Sequence, residues 1–174
     1  MDTLSLGRDE LHPYYLPYLQ YVPSGDWRGE YQRRNTYGLE EWEELATLGM
    51  EQSYAPGKWT PRELLQHLID VERVMVYRAT AISRGETQEM IGFDHEAWAQ
   101  ACLPADWLQL LNEWRSLRAS TAAFFSGIDP QREKKTGRAG QRVFSVRALA
   151  LIVLGHELHH LEVLRTRYLP AAKA

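Results

Sequence analysis

Apolar residues recur along most of the chain at three- and four-residue steps, the period of helices with one buried face, and no stretch shows the strict alternation of a half-exposed strand. Four helices follow from this pattern. The first covers residues 26–50, with Trp27, Tyr31, Leu39, Trp42 and Leu45 on its stripe. Gly29 and Gly38 each cost a helix interior about 1 kcal/mol relative to alanine, so a break near residues 36–38 is expected. The second has the clearest start. Thr60 can accept from first-turn amides, Pro61 needs no amide bond at the first helical position, and Glu63 closes a capping box. Its stripe of Leu64, His67, Leu68, Val71, Met75 and Arg78 runs to Arg84, and Gly85 stops it. The third, residues 104–125, carries Trp107, Leu110, Leu111, Trp114, Leu117, Thr121, Phe124 and Phe125. The fourth runs from its cap Ser145 to Tyr168, with Pro170 as its stop.

Between these lie three connections. Residues 12–23, rich in Tyr and Pro, are expected to run extended. Residues 92–103 form a connector with a turn or two of helix opened by Asp94, and residues 127–144 read as a long polar loop. Four helices with one apolar stripe each bury those stripes against one another. The expectation is an all-α four-helix bundle, one domain over residues 1–174, with long connecting loops that leave room for a site at one end.

Composition narrows the function. The net charge of -3 with interspersed signs lacks the basic stripe of a nucleic-acid binder. Cys102 is the only cysteine, which excludes an internal disulfide and a thiolate metal cluster and suits a small residue in an inter-helical loop. No run approaches the roughly 18 apolar residues of a membrane span. Residues 1–11 lack the charged-then-apolar pattern of a signal peptide, so a cytoplasmic location is expected. Exposed aromatics such as Tyr14, Tyr15 and Tyr18 could support a homodimer.

The densest chemistry is GHELHH at residues 155–160. His156 and His160 lie four apart, one turn apart on one helix face, and share that face with Leu149, Ile152, Val153, Val163 and Leu164. Two inward imidazoles can converge on a divalent ion; the alternative is a pair of buried histidines bonded to backbone or water. The string also fits the His-Glu-x-x-His helix of zinc proteases. Val163 and Thr166 stand where the extended form of that motif needs glycine and histidine, which disfavours protease chemistry. His67, in the middle of another apolar stripe, is the third candidate, and three histidines with an open position suit a catalytic metal site. His12, His95 and His159 look like surface or loop residues. Asp70, one turn after His67, could orient an imidazole or simply pair with Arg73. Glu157 could serve as general base or form an inter-helical salt bridge. Arg115 and Arg118 could meet an anionic substrate, but covering the surface of the third helix is the simpler role.

The strings APGKWTPRELLQHLIDVER at 55–73, GFDHEAW at 92–98, WRSLR at 114–118 and GHELHH at 155–160 together resemble the DinB-like superfamily of bacterial four-helix bundles, also called the YfiT-like metal-dependent hydrolases. The likeness spans residues 13–169. It implies a divalent ion, nickel or zinc above all, held by the positions that match His67, His156 and His160. Relatives include transferases and isomerases that use a low-molecular-weight thiol. Two classes of function result: an enzyme in which the ion activates water or thiol against a small-molecule substrate, and a non-catalytic metal-binding or ligand-sensing bundle in which the ion ties two helices together.

Overall fold

The computed structural model describes residues 6–46, 51–101 and 106–168; Cys102, and the helix limits expected at Met50, Pro104 and Pro170, lie outside them. Four long helices dominate: α2 (Trp27–Ala46), α3 (Pro61–Arg84), α5 (Trp107–Ser126) and α7 (Val146–Val163). Short helices α1 (Leu16–Leu19), α4 (His95–Gln100) and α6 (Pro130–Glu133) and a hairpin of β1 (Thr136–Ala139) and β2 (Arg142–Ser145) fill the connections. Among the long helices, α3 packs on α7 and α5, and α2 packs on α5, while α1 lies against α7. The four-helix bundle is therefore present. Among the described residues no helix is long and apolar enough to cross a membrane.

Capping chemistry sets the boundaries. Thr60 and Glu63 form the reciprocal box that opens α3, and Gly85, at φ 95°, closes it in the left-handed region. Asp94 caps α4, Asp106 caps α5 and Ser145 caps α7 through the amide of Ala148. The expected break in α2 does not occur. Gly38 serves contact instead: a Cβ there would sit 2.7 Å from the Trp114 ring, so glycine lets α2 and α5 approach closely.

Two connections differ from their expectation. Residues 12–23 do not run extended: a tight turn over Pro13–Tyr15 leads into α1. Two prolines at first-turn positions, where no amide bond is required, make this possible. Residues 127–144 are not one polar loop. They hold α6 and a hairpin whose turn, Gly140 and Gln141, has positive φ at both residues. Met90 pairs with Ala139 and Leu11 with Phe144, which welds three connections into one end of the bundle.

Glu10 fastens that end to α7, accepting from Arg147 Nε at 2.6 Å and receiving the Ser145 amide on its carbonyl at 2.8 Å. Hydrogen bonding from Arg147 holds the Glu10 carboxyl at about 2, below its ordinary 4.5.

A charged layer divides the core. Two apolar clusters, one centred on Tyr31, Met75, Phe125 and Leu154 and the other on Trp42, Leu65, Trp114 and Leu161, are separated along the helices by Arg34, Glu72, Arg118 and Glu157. Arg34 reaches Glu41 at 2.7 Å and Glu157 at 2.5 Å, while Arg118 reaches Glu72 at 2.7 Å and Glu157 at 3.0 Å. Each long helix thus supplies one charge to the mid-plane. Arg118 does not cover the surface of α5, as the sequence suggested; it is 1% exposed. Arg115, three residues earlier, is exposed.

Candidate metal centre

Beside the charged layer, α3 and α7 bring three imidazoles together. Nε2 of His156 lies 3.2 Å from Nε2 of His67 and 3.0 Å from Nε2 of His160, and the three ligand atoms lie within 4.8 Å of one another. Capping of α3 at Thr60 and of α7 at Ser145 sets where each histidine falls along its helix. Gly155 permits the remaining approach: a Cβ there would run into the Tyr18 carbonyl, so α1 can lie against α7 one residue before His156.

Burial makes these imidazoles poor bases. It lowers His67, helped by the charge of His95, to about 4, and lowers His160, helped by His67, to about 3. Burial and the neighbouring histidines His160 and His67 press His156 well below its ordinary 6.5. All three are therefore neutral, with lone pairs available, across the physiological range. A neutral imidazole has one N–H and one lone pair, so His156 Nε2 cannot satisfy both neighbours by a single well-directed hydrogen bond. One divalent ion about 2.1 Å from each nitrogen implies nitrogen–nitrogen spacings of about 3.0–3.4 Å, which the two close pairs match. The donor set fits nickel or zinc.

The same shifts predict the acid limb of stability in the metal-free protein. In the unfolded chain these rings bind a proton below about 6.5, whereas in the fold His67 resists until about 4. Between those values the unfolded state holds more protons, so stability is complete above 6.5 and falls as pH drops toward 4. For His67 alone the loss at pH 5 is about 2 kcal/mol, at 1.36 kcal/mol per unit. Urea midpoints at pH 7.5 and pH 5 measure it, and His67→Gln should narrow the difference.

The histidines form one wall of an open cavity of about 730 Å³, lined also by Tyr14, Tyr15, Tyr18, Trp59, Arg78, His95 and Arg142. Trp59 lies 4.6 Å from the His67 ring and is pinned by its carbonyl, which accepts from Tyr168 at 2.5 Å. His95 is the residue sequence reasoning misplaced. It looked like a loop histidine, but the Asp94 cap directs α4 so that its ring lies 5.6 Å from that of His67. Periodicity carries no signal for it, because α4 is too short to show a face. Tyr14, Tyr15 and Tyr18 line the cavity; Tyr15 is buried and Tyr14 stays exposed.

The other sequence candidates lie apart. Glu157 does not line the cavity; its carboxylate belongs to Arg34 and Arg118, whose charges overcome burial and hold it below its ordinary value. Standing about 100° round the helix from His156, it is a structural ion-pair partner in this geometry, not a base for the site. Asp70 accepts from Gln66 at 3.1 Å and lies 4.0 Å from Arg73, and makes no hydrogen bond to His67. Nδ1 of His160, where an orienting partner would stand, is buried with none among the described residues. His159 packs on Tyr18 and Tyr21 instead of lining the cavity. His12 caps the Pro13–Tyr15 turn.

These features coincide with a known class of helical protein. The family model of the DinB superfamily matches residues 29–164, and the chain belongs to that superfamily. Among solved structures it is similar to YfiT from Bacillus subtilis, described as a probable metal-dependent hydrolase with an unusual four-helix bundle topology. That likeness has a TM-score of 0.68 at 17% identity and covers 84% of this chain and 86% of YfiT. No curated protein sequence matches the chain.

Proposed function

We propose that His67, His156 and His160 hold one divalent ion, nickel or zinc, and that the protein is a metal-dependent hydrolase of a small molecule. The convergence of three neutral imidazole nitrogens at the wall of an open cavity carries this reading. Its likeness to YfiT agrees with it. When bound, such an ion supplies Lewis acidity, polarising an acyl or phosphoryl oxygen and making nearby water more acidic.

The chain's own residues do the rest. The Trp59 and tyrosine rings give the substrate an apolar lining, in a cavity of the size that small-molecule sites usually have. His95, beside the ligands but free of their cluster, takes the proton of the attacking water and returns it to the leaving group as the scissile bond breaks.

The test uses protein purified without a histidine tag. Metal analysis should give one ion per chain, and hydrolysis across a panel of small esters, thioesters and amides should vanish on chelation and return with zinc or nickel. His95→Ala should keep its metal and lose about 100-fold or more in turnover. Full metal occupancy without hydrolysis of any panel member would favour the non-catalytic bundle. Product formation only in the presence of an added thiol would replace hydrolysis by thiol transfer.

A further inference from the structure

Arg78 is a buried cation without a counter-ion. It is 3% exposed, nearly as buried as Arg34 and Arg118, which Glu41, Glu72 and Glu157 neutralise. Among the described residues no carboxylate lies within 4.0 Å of Arg78. Its Nη2 donates to the Ile91 carbonyl at 3.0 Å, and its Nη1 faces the Met75 sulfur, a weak acceptor, at 3.8 Å. The rings of Phe93 and Phe144 lie 5.5 Å and 5.8 Å from the guanidinium. A guanidinium has five N–H donors, so most of its capacity is unspent. Taking a charge out of water without a partner is costly, and what the Arg78 side chain borders is the cavity, not a carboxylate.

Arg142 faces the same cavity from β2. Its Nη1 donates to the Tyr15 hydroxyl at 3.1 Å, and its guanidinium stacks 4.3 Å over the Tyr14 ring. It too lacks a carboxylate within 4.0 Å among the described residues. The acids that line the cavity are engaged elsewhere: Asp94 accepts the amides of Glu96 and Ala97, and Glu96 lies 3.8 Å from His95. Burial lowers the Arg78 guanidinium from its ordinary value; Tyr15 opposes that shift and the nearby charge of Arg142 adds to it.

We propose that Arg78 and Arg142, with the Tyr15 hydroxyl, bind an oxyanion of the substrate, a carboxylate or phosphate group on the small molecule presented to the three histidines. The planar guanidinium fork matches both oxyanions. The inference rests on the hydrolase reading only for the word substrate; the oxyanion site stands on the arginines.

Calorimetric titration of the full chain, with zinc and after chelation, compares benzoate, phenylphosphate and neutral benzamide. Both anions should bind at least tenfold more tightly than benzamide in either state, and their ratio tells which oxyanion the site prefers. Arg78→Met should abolish that preference while the melting temperature holds or rises, because the substitution removes an unpaired buried charge. Arg142→Met, at a half-buried position, should weaken both anions severalfold and decides the matter if Arg78→Met fails to fold. Anion affinity that survives both substitutions, or that exists only with zinc and ignores both, overturns the proposal. Preferential anion binding without hydrolysis would sink the hydrolase reading alone; hydrolysis with no preference for anionic substrates would sink this inference alone.

Discussion

His156→Ala should strip the protein of its metal. His156 is the centre of the cluster, the only one of the three whose Nε2 closely approaches both others. Its loss leaves His67 and His160 as two ligands on different helices with no nitrogen between them. Removing an outer partner of a metal ligand already costs about 10- to 100-fold in affinity, so loss of a ligand should cost at least 100-fold. His67→Ala and His160→Ala should follow. His159→Ala and His12→Ala should retain full occupancy, because the first packs on tyrosines and the second caps a turn. Metal at about 1,000 times its dissociation constant stabilises the native state by about 4 kcal/mol. That corresponds to a rise in melting temperature of roughly 8–16 °C for a domain of this size, and the three triad variants should lose it.

The second large effect belongs to stability. Glu157→Ala removes the carboxylate shared by Arg34 and Arg118, leaving Arg118 with Glu72 and Arg34 with the half-buried Glu41. Breaking a buried ion pair on one side costs about 3–5 kcal/mol, because the surviving charge stays buried. Glu157→Gln, which keeps the shape and one acceptor, should cost less. Denaturant unfolding gives both values. Purified Glu157→Gln should still bind metal at full occupancy, since its side chain does not line the cavity. A folded Glu157→Gln that loses its metal would mean that the mid-plane charges reach the histidines more directly than through the helix they share.

Why a bundle with one centre keeps four charges in its core follows from the same geometry. Residues 156 and 157 present opposite demands on α7: one face must meet His67, the next must meet Arg34 and Arg118. Apolar contacts alone tolerate small rotations and slips of a helix, whereas paired charges do not. The layer ties α7 to α2 and α5, and through Arg118 to α3, one residue after His156.

Much of this was legible in the sequence because it depends on local chemistry. The Thr60–Glu63 box, the Gly85 stop, the Ser145 cap and the four-residue spacing of His156 and His160 express themselves within one or two helical turns. His67 was legible as a polar residue on an apolar stripe. The hairpin was not, because each strand has four residues and the Gly140–Gln141 turn lacks the usual Asn-Gly signal. The first connection misled because Pro13 and Pro17 look like helix breakers, yet both stand at first-turn positions. Arg118 misled for a different reason, and Glu157 stood between two readings, of which the inter-helical salt bridge is the one observed. A charge in a helix reads as solvated or catalytic until its partners on two other helices are known, and no local pattern shows those. His95 likewise gains its place only when α4 folds back against α3.

The most direct measurement is an anomalous difference map from crystals of zinc-loaded protein, collected at the zinc edge. One strong peak is expected, about 2.1 Å from Nε2 of His67, His156 and His160 alike. A peak at another cluster, or a fully loaded protein with no density between these three nitrogens, would contradict it.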